Sequence, residues 1–293
     1  MSQIPTPALN QPVSSNPLAK HFRQPAIYAK LTSAGAFWPE GAVDLPVTGK
    51  IPVYPMTTKD EITLKTPDAL IDGTSVVNVI QSCCPNIKNA WEMPSVDVDS
   101  TLIAIRIASY GNEMTLETKC PHCSSENDYA VNLSNVLDQI RMPDYSQPVR
   151  INAEISVKLK PMSYLEVSRA GSAAYEEQRY IQALSDQGQM PEAEIKQRYN
   201  EHLERLLNLT VDNVVACTES IIMNSVDVIT DPKFIKEYYT NAESTVLKTI
   251  QAKIKEHANT IAIQPMDVEC PECQTQYKLN IEFDYASFFD RGF

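Results

Sequence analysis

Two Cys-x-x-Cys pairs constrain the fold of this chain more than any other feature of its sequence. The first is Cys120-Pro-His-Cys123, the second is Cys270-Pro-Glu-Cys273, and 147 positions separate Cys123 from Cys270. Two thiolates of such a pair can bind one metal ion, and two pairs provide the four ligands of a closed tetrahedral zinc site. If both pairs share one ion, two segments that are distant in sequence must lie side by side.

Alternating residues flank each cysteine pair. Residues 114–119 and 128–133 flank the first pair, and residues 266–269 and 276–283 flank the second. Alternation predicts strands, so each pair is expected at the tip of a β-hairpin. Four sulfur ligands leave no open coordination position, and the expected zinc ion is therefore structural. Its predicted ligands are Cys120, Cys123, Cys270 and Cys273.

Other chemistries also use cysteines at this spacing. Cys120-Pro-His-Cys123 matches the active-site tetrapeptide of a periplasmic disulfide oxidase, but that reaction needs its first cysteine at a helix N-terminus. Here a predicted strand follows the pair. An iron–sulfur cluster also accepts four cysteines, although nothing else in the sequence indicates electron transfer. The odd total of 7 cysteines and the lack of a secretory signal argue against a disulfide framework.

The remaining histidines, cysteines and paired acids are predicted to have no chemical role. His122 is expected in a solvated turn, and Asp97 and Asp99 are expected to cap a helix. The other three histidines are expected at the surface: His21, His202 and His257. Three cysteines are expected to pack as small hydrophobic residues: Cys83, Cys84 and Cys217.

The composition argues against several classes of function. Glycine accounts for only 8 of 293 residues, and neither Gly-rich phosphate-binding motif is present. The 37 acidic and 25 basic residues give a net charge of −12, which argues against direct nucleic-acid binding because such binding depends on Lys and Arg. No apolar run reaches the roughly 18 residues of a membrane span. No catalytic motif is found, so we predict a non-enzymatic cytoplasmic protein without a small-molecule substrate.

The predicted fold class is α+β, with a loop- and helix-rich N-terminal region and a two-hairpin, zinc-ribbon-like module that carries a long helical insertion. The predicted segments are an extended arm (1–26), a loop-rich and helical region (27–113), the first zinc hairpin with a short helix (114–140), a mainly helical insertion (141–264), and the second zinc hairpin with an aromatic tail (265–293).

Several expectations concern the interior of these segments. The arm contains Lys20 and Arg23 but no acid, and is expected to be disordered or to act as a strap on a partner. Residues 102–108 are too apolar for a surface helix and are placed in the core. The tail, 283–293, contains five aromatic residues, which are expected to pack in the chain's own core or, in part, to be buried against another chain. A helix is expected to start at residues 66–68. The insertion is expected to contain a strand at 149–159 and helices at 162–184, 191–223, 232–239 and 244–256.

Several sequence blocks in the N-terminal half of the chain match those of a known protein family. They are Tyr28-Ala-Lys-Leu31 with Ser33 and Gly35, Phe37-Trp38-Pro39-Glu40-Gly41, Ile51-Pro-Val-Tyr-Pro-Met-Thr57, Asp60-Glu61, Leu64-Lys-Thr-Pro-Asp-Ala-Leu70, Gly73, and Ile80-Gln-Ser-Cys83. In these blocks the chain resembles the baseplate hub proteins of contractile-tailed bacteriophages of the T-even type. The resemblance is strongest from residue 28 to residue 133, where Leu31-Thr-Ser-Ala-Gly35 stands in place of a common Leu-Pro-Ser-x-Gly. Residues 141–264 carry no recognised resemblance.

The resemblance implies a structural or assembly protein at the centre of a phage tail baseplate. Its implied partners are other baseplate hub and wedge proteins and the tape-measure protein. Its implied location is the virion tail, after assembly in the cytoplasm of a host bacterium. A tail assembly chaperone that leaves before maturation fits the same residues. A zinc-ribbon nucleic-acid adaptor is a further alternative, against which the acidic charge counts.

Overall fold

Helices and short antiparallel strands are distributed along the whole chain in this computed structural model, which describes residues 16–65, 73–186, 192–224, 226–281 and 288–289. The helices are α1 (Thr58–Leu64), α2 (Thr74–Cys83), α3 (Ser95–Tyr110), α4 (Leu133–Gln139), α5 (Tyr164–Asp186), α6 (Glu192–Ala216), α7 (Pro232–Asn241) and α8 (Ser244–Ile261). The strands are β1 (Ile27–Lys30), β2 (Lys50–Val53), β3 (Glu113–Lys119), β4 (Glu126–Asn132), β5 (Val149–Arg150), β6 (Ile155–Leu159), β7 (Thr218–Met223), β8 (Asp227–Ile229), β9 (Met266–Glu269) and β10 (Gln276–Leu279).

Helix α3 lies at the centre of the first of two hydrophobic cores. Ile103 and Ile105 are fully buried, because this stretch is apolar on all sides of the helix and neighbouring elements surround it. Val79 and Ile80 of α2 are also fully buried in the same core. The prediction that residues 102–108 lie in the core is confirmed for residues 102–105, each at most 1% exposed.

Strands β1 and β2 form a small antiparallel sheet beside this core. Ile27 pairs with Val53, and Lys30 pairs with Lys50. Thr57 caps the N-terminus of helix α1: its hydroxyl accepts a hydrogen bond from the Asp60 N–H, and its own N–H donates to the Asp60 carboxylate. The helix start predicted at residues 66–68 lies outside the described residues.

Arg23 fixes the described part of the N-terminal arm to this region. Its guanidinium donates to the Pro55 carbonyl at 2.7 Å, to Asp60 at 3.2 Å, and to the carbonyl and hydroxyl of Ser82 at 2.7 and 2.8 Å. The Asp60 side chain is only 8% exposed, so this ion pair is shielded from water on one side. Arg23 is therefore attached to the fold, whereas residues 1–15 of the predicted arm lie outside the described residues.

We expect Arg23→Ala to lower the free energy of unfolding by about 2 kcal/mol, because it leaves the Asp60 carboxylate and the Ser82 carbonyl with fewer donors. The loss should appear as a lower urea midpoint and as faster proteolysis within residues 16–26. Lys20→Ala is the matched control, since Lys20 is an exposed cation on the same arm. Equal stability of the two variants would contradict the anchoring role.

The segment from 141 to 264 contains a four-stranded antiparallel sheet in the order β5-β6-β7-β8. The prediction of a single helix over 191–223 is therefore wrong in its last part. Helix α6 ends at Ala216, and β7 begins at Thr218 because Ile221 and its neighbours pair in register with Val157 of β6. The strand predicted at 149–159 is divided into β5 and β6, which pair with each other. The other helices of this segment, α5, α7 and α8, lie close to their predicted positions.

The second hydrophobic core lies between this sheet and helices α6, α7 and α8. Val157 and Ile221 from the sheet face Ile235 and Tyr239 of α7 and Ile250 of α8, and all five are at most 3% exposed. The Tyr239 hydroxyl lies 2.9 Å from the Thr218 hydroxyl, which satisfies both polar groups inside the core. In the part of the chain that the structure describes, no helix is long and apolar enough to span a bilayer.

Two residues of the aromatic tail are described, and both pack inside the chain. Phe288 and Phe289 are 1% and 6% exposed in the core around α3, with their rings at 4.9 Å. The Arg106 guanidinium lies 6.0 Å from the Phe288 ring centroid. These two residues therefore pack in the chain's own core, which is one of the two locations expected for the tail aromatics. The rest of the tail from 282 to 293 lies outside the described residues.

Candidate metal centre

Both cysteine pairs occupy the tips of antiparallel hairpins, as predicted. Strands β3 and β4 form the first hairpin, and strands β9 and β10 form the second. The tips have the same backbone geometry. The Ser124 N–H donates to the Cys120 carbonyl at 2.9 Å, and the Gln274 N–H donates to the Cys270 carbonyl at 2.8 Å. Ser124 and Gln274 have φ values of 60° and 59°. The chain thus builds the same turn twice.

The hairpin tips face each other and bring the four thiols together. The Cys120 and Cys273 sulfurs are 3.7 Å apart, as are those of Cys123 and Cys270, and all four lie within 4.8 Å of one another. A tetrahedral ion with sulfur ligands at about 2.3 Å requires sulfur separations of about 3.8 Å. The donor set and its spacing therefore fit one tetrahedral metal ion, to which each hairpin would give two ligands.

Polar groups surround the sulfurs. The His122 N–H donates to the Cys120 sulfur at 3.4 Å, and the Asn127 side-chain amide donates to the Cys270 sulfur at 3.6 Å. Ser125 places its hydroxyl 3.0 Å from the Cys123 sulfur. Hydrogen-bond donors of this kind stabilise negative charge on sulfur and orient metal ligands. Cys120 and Cys270 are buried, whereas Cys123 and Cys273 are exposed.

The same hydrogen bonds change the pKa values of the thiols. The Ser125 hydroxyl and the Cys273 N–H lower the pKa of Cys270 to about 6, and Ser125 also lowers the pKa of Cys123. The Cys123 N–H lowers the pKa of Cys120 too, but burial and the adjacent thiols outweigh it and raise that pKa to about 11. Since a bound metal requires thiolates, metal binding at this site would release protons, and the affinity would fall as the pH is lowered.

Two tyrosines join the hairpins outside the sulfur cluster. The Tyr277 hydroxyl donates to the Tyr129 hydroxyl at 3.2 Å, and the Tyr129 hydroxyl donates to the Glu269 carbonyl at 3.1 Å. The rings meet edge to face with centroids 6.2 Å apart. The sequence patterns did not predict this contact between Tyr129 and Tyr277. Each tyrosine lies in the strand that follows its cysteine pair, and that shared position was the only available signal.

Comparison with known protein families gives a match over most of the chain. The matching family is described as T4 bacteriophage base plate protein, and it covers residues 39–290. This chain belongs to that family. No curated protein and no solved structure matches it. Membership indicates a structural component of a phage baseplate, located in the virion tail and in contact with other baseplate proteins.

The matched range extends well beyond the region of the sequence resemblance. It contains both cysteine pairs and the whole segment from 141 to 264, to which the resemblance had assigned no counterpart. The four-stranded sheet and helices α5 to α8 therefore belong to the part of this baseplate protein that the family shares. The first 38 residues precede the match, and they include the arm that Arg23 anchors.

Apart from His122, whose N–H donates to the Cys120 sulfur, the other sequence candidates lie outside the group of four cysteines. His21 and His122 are exposed, as expected. Cys83, Cys84 and Cys217 are buried, as expected, and burial raises the pKa of Cys217 to about 11. Such thiols are unreactive hydrophobic side chains. Among the described residues, the four hairpin cysteines form the one group with metal-ligand geometry.

The surface position predicted for His202 is wrong. His202 is 8% exposed, and its Nδ1 lies 2.7 Å from the Glu177 carboxylate across the α5–α6 hairpin. Arg205 donates to the other oxygen of Glu177 at 2.6 Å. The residues around His202 in the sequence are mostly polar and predict an exposed helix. The partner that buries His202, Glu177, belongs to another helix, so the local sequence does not indicate the burial. His257 is also buried rather than exposed.

Asp97 has a different role from the predicted helix cap. Its carboxylate is fully buried and accepts hydrogen bonds from the Ser33 N–H at 2.7 Å, the Ser33 hydroxyl at 2.5 Å and the Trp38 indole N–H at 2.7 Å. These bonds hold the 31–41 loop, in which Ala34 and Phe37 have φ values of 52° and 66°. Burial raises the pKa of Asp97, and the hydrogen bonds from Ser33 and Trp38 lower it in part.

Proposed function

We propose that this chain is a non-enzymatic structural or assembly subunit of the hub of a contractile-tail baseplate. The observation that carries the proposal is the family match over residues 39–290. Its neighbours would be other hub and wedge proteins and the tape-measure protein. The chain would reach the baseplate after synthesis in the host cytoplasm.

We further propose that one structural zinc ion joins the two hairpins of this subunit. The supporting observation is the fit of four sulfurs to a tetrahedral ion. Zinc bound by Cys120, Cys123, Cys270 and Cys273 would have no open position for water or substrate. The ion would fix the fold of a zinc-ribbon-like module and would carry out no reaction, so the biological activity would come from binding surfaces.

The exposed apolar side chains of the arm support a role in contacts with other subunits. Leu18 and Phe22 are 63% and 52% exposed, although Arg23 beside them is fixed to the body. Exposed apolar residues on an anchored segment are typical of protein interfaces. The proposed contact is therefore between residues 16–22 and a neighbouring baseplate subunit.

We expect the pair of changes Leu18→Ser and Phe22→Ser to reduce co-purification of the chain with baseplate proteins at least about tenfold, which corresponds to about 1.4 kcal/mol of binding free energy. The unfolding midpoint should not change, because both side chains are largely exposed in the free chain. Val47→Ser is the matched control, since Val47 is a fully exposed apolar residue outside the arm. Unchanged co-purification of the double variant would exclude the arm from the interface.

Protein composition of purified particles separates a permanent hub subunit from a tail assembly chaperone. Mass spectrometry of mature phage should detect the chain at a fixed copy number relative to other baseplate proteins. Detection only in assembly intermediates would instead identify it as a chaperone. A nucleic-acid adaptor is disfavoured by the net charge of −12, and a filter-binding assay with DNA and RNA would test it.

A further inference from the structure

His257 lies in an unusual position for a histidine on a polar helix. It is only 5% exposed on α8, and neither ring nitrogen has a hydrogen-bond partner among the described residues. Buried polar groups are nearly always hydrogen-bonded, because an unpaired one loses its hydrogen bonds to water without replacement. An unpaired imidazole between packed elements therefore requires a physical explanation.

The His257 ring contacts an aromatic ring, which in turn contacts a second one. It meets the Tyr145 ring edge to face with centroids 4.5 Å apart, and Tyr145 meets Phe37 in the same way at 5.3 Å. Three elements thus converge at this point: helix α8, the 140–148 segment and the 31–41 loop. Phe37 has a φ of 66°, which is strained for a bulky residue, so the contact holds the loop in a conformation that would otherwise be disfavoured.

We propose that His257 is a pH-sensitive latch for the contact between α8, the 140–148 segment and the 31–41 loop. The contact is closed when the His257 ring is neutral. It opens when the ring gains a proton from solvent. A neutral imidazole can pack against Tyr145 as an aromatic ring. A charged imidazolium needs water or an acceptor, and the closed contact provides neither to its nitrogens. Opening would expose Tyr145 and release Phe37, the kind of aromatic side chains that protein interfaces use.

The charged groups around His257 have opposing effects on its protonation. Burial is the largest effect and lowers the pKa of His257 below its ordinary value of 6.5, and Lys253 on the same helix lowers it further. Glu256 on α8 and Asp144 on the 140–148 segment raise it in part. Because the open form has the higher pKa, the latch is fully closed above about pH 6.5 and loses stability as the pH falls below that value.

Hydrogen exchange at pH 7.5 and 5.5, corrected for the intrinsic pH dependence of exchange, tests the latch in the full-length zinc-loaded protein. At pH 5.5 the equilibrium constant for opening should be up to about tenfold larger in peptides covering 140–148 and 252–260. Each pH unit below the pKa of His257 in the open form increases this constant by at most a factor of ten. Peptides covering 102–105 in the core of α3 are the internal reference. No change in the two latch peptides relative to this reference would contradict the proposal.

His257→Phe should abolish this pH response, because phenylalanine keeps an aromatic ring against Tyr145 and cannot be protonated. His21→Gln is the control, since His21 is an exposed histidine on the arm, and it should respond as the wild type does. A full pH response in His257→Phe would overturn the latch. If that variant does not fold, NMR titration of the wild-type imidazole decides: a pKa below 6.5 supports the latch, and a pKa at or above 6.5 refutes it.

Discussion

Replacement of both Cys120 and Cys270 by serine should remove the bound zinc and lower the thermal midpoint by about 10–20 °C, which corresponds to roughly 5 kcal/mol in a chain of this size. Structural zinc contributes about 10–16 kcal/mol in small peptides, and a larger fold retains part of its structure without the ion. The change removes one ligand from each hairpin, so neither pair can hold the metal with both of its thiolates. Metal analysis should fall from one zinc per chain to almost none.

Cys217→Ala is the matched control for the double replacement. Cys217 is a buried thiol between helix α6 and strand β7 and is not one of the four clustered cysteines, so its loss should leave the zinc content at one per chain. Chelation of the wild-type protein should reproduce the effect of the double variant and should increase hydrogen exchange in both hairpins. Full zinc content in the double variant would show that the two pairs do not share one ion.

Asp97→Ala is expected to lower the free energy of unfolding by about 3–5 kcal/mol, because it leaves two buried donors and one half-buried donor without their acceptor. The donors are the Ser33 N–H, the Ser33 hydroxyl and the Trp38 indole N–H. Glu40→Ala is the control, since Glu40 is an exposed acid on the same loop. Urea unfolding followed by tryptophan fluorescence would measure both variants. A loss below about 1 kcal/mol in Asp97→Ala would show that the loop does not depend on this carboxylate.

The pH dependence of Asp97→Asn separates the charge of this side chain from its shape. Burial raises the pKa of Asp97 above its ordinary 3.8, so its ionisation opposes folding. Its contribution to stability is therefore complete below about pH 4 and is lost as the pH rises through the raised pKa. Asparagine cannot ionise, and the stability of the wild type relative to Asp97→Asn should fall over that range. A difference that does not depend on pH would contradict a raised pKa.

Local patterns predicted the hairpins because each hairpin is formed by neighbouring residues. Alternation around Cys120 and Cys270 specifies strands on both sides of a tight turn, and the repeated Cys-x-x-Cys spacing indicates that the two tips bind one ligand. The sequence also predicted the buried run of α3, since its apolar residues cover every side of the helix. In these cases the information lies within a few residues of the element.

The features that the sequence did not predict depend on distant partners. Strand β7 follows α6 without a glycine or proline to mark the boundary, and it becomes a strand because β6, far upstream, pairs with it. His202 is buried because Glu177 of another helix accepts its hydrogen bond, and Asp97 binds a loop some sixty positions earlier in the chain. The composition and periodicity of the neighbouring sequence do not predict these contacts.

X-ray absorption spectroscopy of the zinc in the purified full-length chain tests the shared metal site most directly. The spectrum reports the type, number and distance of the atoms bound to zinc. We expect one zinc per chain with four sulfur neighbours at about 2.3 Å and no nitrogen or oxygen ligand. A spectrum with two sulfur neighbours and two lighter atoms would contradict the proposal that both cysteine pairs bind one zinc ion. A preparation without bound zinc would contradict it as well.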